Sequence, residues 1–279
     1  MVIPIDRVTG QALAQLGPVL RQVKMSAHDE RTFHGLARLL AAGLGLAAIA
    51  WGVTTFPIFW SQLPIERTAA AIIGRDAFSP HSLDPLLPVI DGIEQSGYCR
   101  PDAIRSAAII RLRLAEEAVA TTDRDVIDAR QSALQDTVRK SLSCSPSDSF
   151  LWMVLAWLDQ TRQGFQLEQL TYLRLSYRLG PNEGWIAERR NRVALSIFDR
   201  LPPDLVEALL REFSGMVSSQ FYSDAISILT GPGWPIHDQL LASLKDVDLH
   251  QREQLAKELY SDGYDVAVPG IAPRDRRPW

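Results

Sequence analysis

Apolar and polar positions divide this chain into two regimes. From Leu39 to Trp60 it reads LLAAGLGLAAIAWGVTTFPIFW, 22 residues without a charge, and the uncharged run continues to Ile65. At about 1.5 Å rise per residue this spans the roughly 30 Å hydrocarbon core of a bilayer. It carries no polar stripe, which a core helix of a soluble protein of this length would show. Trp51 and Trp60 fit an interfacial aromatic belt, and Pro57 is expected to kink or end the helix. The 38 mostly polar residues ahead of the run are unlike the short basic start of a cleaved signal peptide. The pattern predicts a transmembrane signal anchor at 39–60, preceded by a cytoplasmic segment at 1–38.

Residues 61–101 read as a Pro-rich connector. Phe78–Pro88 holds three prolines in nine residues, which predicts an extended or irregular stretch. From Asp102 onward the period is helical. Residues 102–120 place Ala108, Leu112, Ala115 and Val119 on one face, and 124–142 do the same with Ile127, Leu134, Val138 and Leu142. Thr121-Thr122-Asp123 breaks and caps between them. Ser145-Pro146-Ser147-Asp148 reads as a helix start with Ser as N-cap and Pro at the first position, opening an apolar helix over 149–162. Further helices are expected over 166–179, from about Glu183 to Asp199, and over 204–216, with shorter ones over 221–229, 236–245 and 249–261. The last opens on Asp248 and Gln251, arranged like a capping box. No alternating strand pattern occurs. The predicted fold class is all-α: one N-terminal transmembrane helix, then antiparallel helix pairs over 102–262, then a basic tail at 263–279 expected to be disordered.

Charge adds an orientation. The net charge is −4 from 29 Lys+Arg and 33 Asp+Glu. Residues 1–38 carry +2 and residues 61–279 carry −6. Arg21, Lys24, Arg31 and Arg38 precede the apolar run, against Arg67 and Arg75 after it, so the positive-inside rule places the N-terminus in the cytoplasm. Only four of the basic residues are Lys. With abundant Ala and Leu, that points to a GC-rich bacterial genome, hence to the bacterial inner membrane and a periplasmic C-terminal domain. The chain is too apolar for a disordered protein and not basic enough for a nucleic-acid binder.

The two cysteines fit this placement. Cys99 precedes the helix at 102–120 and Cys144 follows the one at 124–142. If those helices fold back on each other, both cysteines lie at the open end. A disulfide there would close a loop of about 46 residues and needs an oxidising compartment. The alternative is two unrelated buried thiols. No C-x-x-C redox motif is present.

Residues 149–181 carry Trp152, Leu155 and Ala156 in the first helix, a turn at Gly164, Tyr172 and Ser176 in the second helix, and a closing Pro181. In this order and spacing they resemble a tetratricopeptide repeat. One extra turn residue is needed, and Glu168 or Gln169 stands where the family has a small residue. Trp185 follows Trp152 by 33 residues, near the repeat period. The resemblance implies a right-handed stack of helical hairpins that binds proteins or extended ligands on a concave face, with no catalytic residues.

Enzyme signatures are absent: no H-E-x-x-H, G-x-S-x-G or phosphate-binding loop. His28, His34, His81, His237 and His250 are dispersed. Glu116 and Glu117 lie about 100° apart on a helix, which suits a solvated face better than a paired acid/base site. Thr230–Pro235 (TGPGWP) reads as a rigid turn, since its prolines lack the N–H donors of an anion cradle. One group of residues, Tyr172, Arg174, Tyr177, Arg178, Trp185, Arg189, Arg190 and Arg192, combines guanidinium groups with rings suited to an anionic or sugar-like ligand. Its alternative is a basic solvated face over core aromatics. No metal site and no cofactor are expected. The expected function is non-enzymatic: a membrane-anchored scaffold that contacts other envelope proteins in an assembly that makes or exports anionic polysaccharide. A sensory ligand-binding module, a division or secretion adaptor, and an enzyme of unrecognised type are the alternatives.

Overall fold

The structure, a computed structural model, describes residues 27–120 and 123–272, all of them helical or loop. Among these residues are eleven α-helices, four short 3-10 turns and no strand. The chain forms two compact units, Met1–Ser61 and Gln62–Trp279. Most of the expected cytoplasmic segment and the last seven residues of the expected tail lie outside the described residues.

The first helix, α1, runs Ala27–Ile73. Its stretch His34–Phe56 has 23 residues of mean hydropathy 1.8, long and apolar enough to cross a membrane. Leu39, Leu44, Leu46, Ile49 and Trp51 in it are all exposed, unlike the core helix of a soluble protein. Of the two outcomes expected of Pro57, ending the helix does not occur: α1 continues past it. Pro57 and a second interior proline, Pro64, each remove one backbone hydrogen bond, and the helix continues through both because the turns between and beyond them are complete.

In the second unit, the last three turns of α1 join the domain by burying Ile65 and Ala69. α1 ends in a Schellman motif: the N–H of Asp76 donates to the Ala71 carbonyl and that of Arg75 to the Ile72 carbonyl. The left-handed residue is Arg75, at φ 65°, rather than the neighbouring Gly74. That conformation costs a residue with a Cβ roughly 1–2 kcal/mol.

The Pro-rich region is not an irregular connector. It contains a 3-10 turn, Asp84–Leu86, and helix α2, Leu87–Gln95. Pro85 and Pro88 occupy first-turn positions, where their missing N–H has no partner to lose. α2 buries Ile90 and Ile93 against α3, Pro101–Val119. Arg111 of α3 clasps it further, donating to Glu94 at 2.5 and 2.8 Å and to Asp91 at 2.8 Å.

α3 pairs with α4, Arg124–Cys144. Asp123 caps α4 by accepting from the N–H groups of Asp125 and Val126. α3 is buried nearly all round and Val119 is exposed, so a single apolar stripe understates it. It lies between α2, α4 and the helices beyond. Cys99 and Cys144 are joined, with Cα atoms 5.7 Å apart. The bond ties the entry of α3 to the exit of α4, so the two helices run antiparallel.

α5, Ser149–Gln163, pairs with α6, Leu167–Leu179. The cap of α5 is Asp148, which accepts from the Leu151 N–H at 3.1 Å, and not Ser145. α7, Gly184–Ser196, and α8, Pro203–Ser218, follow as neighbours, α7 also against α5 and α8 also against α6. The C-terminal part comprises α9, Tyr222–Thr230, α10, His237–Ala242, and α11, Leu249–Ser261. Asp248 caps α11 as predicted, but the Gln251 side-chain oxygen is buried without a partner, so the reciprocal half of the capping box is not made. The stretch expected to be disordered packs instead as far as it is described: Val268 is buried, and Tyr264, Val266 and Ile271 rest on the same core.

The described disulfide spans 45 positions of sequence. Replacing both cysteines by Ser should lower unfolding free energy by about 3–4 kcal/mol through the gained entropy of the unfolded chain. Urea unfolding of the full-length protein under oxidising and reducing conditions measures this; the Cys99→Ser/Cys144→Ser variant should be insensitive to reductant.

Candidate functional site

The eight residues singled out from sequence do not form one cluster. They separate into a buried clamp, a cleft wall and a set of surface contacts.

Arg190 and Tyr177 belong to the clamp. Arg190 is 0% exposed, which overturns its expected role as a surface ligand group. Its Nε donates to Glu212 Oε1 at 2.9 Å, and one Nη also donates to that carboxylate. The remaining donors reach the Ser176 and Gly180 carbonyls at 2.9 and 2.8 Å. The guanidinium lies over the Tyr177 ring, 4.6 Å from its centroid. Asn191 Nδ2 donates to the other Glu212 oxygen at 2.8 Å. Ser176 Oγ in turn donates to the Ser149 carbonyl at 2.7 Å. One α7 side chain thus ties α6 and α8 together and reaches the start of α5. Burial pushes the Glu212 carboxyl up from its ordinary value, and the Arg190 hydrogen bonds offset this only in part. Burial, with the nearby Glu212 charge, pushes the Tyr177 hydroxyl well above its ordinary range.

Arg189 and Arg192 lie on another face of α7 and line a cleft of about 630 Å³. Its walls come from α3 (Leu112, Glu116), α5 (Met153, Val154, Trp157, Gln160, Thr161) and α7 (Glu188, Arg189, Arg192, Val193, Ser196). The floor is aliphatic with one half-buried indole, and the rim is ionic. Arg189 donates to Glu116 at 2.8 Å; Arg192 donates to Glu188 at 3.2 Å and to Ser227 Oγ at 2.6 Å. Both arginine side chains are 42% exposed. Glu116 is therefore part of this rim and not of a plain solvated face. Glu117 points elsewhere and accepts from the His81 N–H, as its 100° offset requires. Trp157, Met153 and Glu188 carried no signal of their own in the sequence. Their common feature is position: the cleft is lined by the first helices of successive pairs.

The other residues serve packing and surface pairing. Tyr172 stacks on Trp152 at 5.7 Å. Trp185 packs on Phe150 at 4.9 Å, with Arg105 over its ring. Arg174 pairs with Asp204 at 2.7 Å, and Arg178 is exposed. The Arg174 hydrogen bond holds the Asp204 carboxyl below its ordinary value. Among the described residues no three His, Cys, Asp or Glu converge as a metal site. No family model, curated protein or solved structure matches the chain.

Two outcomes follow from these electrostatics. Glu212→Ala leaves a buried guanidinium unpaired and should cost about 3–5 kcal/mol, whereas Arg190→Met with Glu212→Leu should recover most of that loss in urea unfolding. Asp204 has a folded pKa below its unfolded one, so its contribution is full above the ordinary carboxylate range and is lost as pH falls through the lowered value. In thermal melts across acidic pH, Asp204→Asn should show a shallower acid-side decline than the native protein; the pair is exposed, so the difference is small.

Proposed function

We propose that this protein is a single-pass, N-in inner-membrane protein whose tetratricopeptide-like periplasmic domain acts as a non-enzymatic scaffold, holding a segment of another envelope protein in the cleft of α3, α5 and α7. The observation that carries this reading is the cleft itself. It is open, its apolar floor is ringed by paired charges, and it runs across the first helices of three successive pairs. That is the surface on which stacked helical hairpins bind extended ligands. Its aliphatic floor of Leu112, Met153, Val154 and Val193 suits amino-acid side chains, whereas sugar faces stack on open aromatic rings.

The exposed apolar stretch His34–Phe56 supports the anchor, and the Cys99–Cys144 bond supports an oxidising compartment for the domain. An oligosaccharide partner draws less support, because the aromatic residues once grouped with the arginines are spread over several surfaces and partly buried.

Site-specific photo-crosslinking in the native cells tests the reading. A photoreactive residue in place of Trp157 or Thr161, accessible positions of the cleft lining, should give one discrete protein adduct in the membrane fraction. The same residue in place of Lys257, exposed on α11, should not. Equal labelling from both faces, or no adduct from the cleft, would remove the scaffold assignment.

A further inference from the structure

Glu188 sits between two arginines that belong to different parts of the domain. One of its oxygens holds Arg75, at 2.8 Å, in the Schellman motif that ends α1. The other holds Arg192 of the cleft wall, at 3.2 Å. The same two arginines also share α9: Arg75 donates to both Asp224 oxygens at 3.0 and 3.3 Å, and Arg192 to Ser227 Oγ at 2.6 Å. Arg75 is the residue held at φ 65°, beside a glycine that would take that conformation without strain. Its bonds to Glu188 and Asp224 are what a side chain at that position gains. The backbone bonds of the cap are thus accompanied by ion pairs from its left-handed residue, and whatever acts on those carboxylates acts on that residue.

We propose that the cleft and the α1 cap are electrostatically coupled through Glu188, so that drawing Arg192 away from Glu188 tightens the cap and drawing Glu188 away from Arg75 loosens it. The physical basis is competition for one carboxylate. With both arginines in place, each holds a different Glu188 oxygen, so they share the field of one negative charge and repel each other across it. When an anionic group entering the cleft takes Arg192, Glu188 faces Arg75 alone. A cationic group that engages Glu188 has the opposite effect. The charged groups within this set are Arg75, Asp224, Glu188 and Arg192. The neighbouring set of Arg113 and Glu116 on α3 with Arg189 on α7 is closed on itself, with distances of 3.7 and 2.8 Å.

The coupling concerns the same cleft as the proposed scaffold role, but its test needs no ligand, so either can fail without the other. The readout is amide hydrogen exchange at Gly74, Arg75 and Asp76, whose N–H groups make the three bonds of the helix end. It is measured on the full-length protein in lipid nanodiscs. Arg192→Gln should slow exchange at these amides by about two- to fivefold, the range expected of one half-exposed ion pair. Glu188→Gln and Asp224→Asn should each speed it by a similar factor. Arg113→Gln, in the closed set, should leave it unchanged. Arg75→Gly separates backbone from charge: in that background Arg192→Gln should no longer change exchange at 74–76, since the competing group is gone. Raising the salt concentration should shrink every difference. Exchange at 74–76 that is the same in Arg192→Gln as in the native protein, or an Arg192→Gln effect that persists in the Arg75→Gly background, overturns the coupling.

Discussion

A buried guanidinium–carboxylate pair organises the centre of the domain. Arg190 carries a full charge into a site with no solvent contact, at a desolvation cost that only well-placed partners offset. All of its partners lie on other helices or at their ends: Glu212 on α8, Ser176 on α6, and the Gly180 carbonyl just past α6. Gly180 has to be glycine for a different reason, since a Cβ there would collide with Ser149 at the start of α5. Four helices therefore meet with their backbones close together around one side chain. A hydrophobic substitute of similar size could supply equal stability, but it would accept many packings. A planar fork with fixed acceptors accepts one.

From this centre the two faces of α7 take on different tasks. The face with Arg190 and Asn191 points inward and fixes how the helix pairs stack. The face with Glu188, Arg189 and Arg192 points outward into the cleft, where both arginines remain 42% exposed. Neighbouring arginines in the sequence thus end in opposite environments because the helix turns about 100° per residue. The interior charge is fixed by its partners, and the exterior ones line the cleft at its rim.

The element pattern was legible in the sequence to a high degree, and the reasons are local. Helices α3 to α9 and α11 follow from period, caps and the glycine or proline breaks between them. The errors are also physical. Prolines in 78–88 read as breakers by composition, yet two of them start helical turns. Ser145 looked like a cap three residues ahead of Asp148, the one that accepts the hydrogen bond. The site was harder to read. Grouping arginines and aromatics by proximity along the chain mixed three environments, because composition does not record which way each residue faces once pairs stack. The cleft draws on α3, α5 and α7, residues 112 to 196, and no contiguous segment contains it.

The link between Cys99 and Cys144 has a mechanical meaning as well as a thermodynamic one. In the proposed role, a domain anchored at one end and engaged at the other would be pulled along its backbone. The covalent cross-link gives tension a path that bypasses α3 and α4, which lie wholly within the 45-position loop. Those helices can be extended only if the bond is reduced first. About 150 Å of slack chain is thereby withheld from any stretching event, at roughly 3.4 Å per residue. α3, which contributes one wall of the cleft, would carry no tension while the bond is intact.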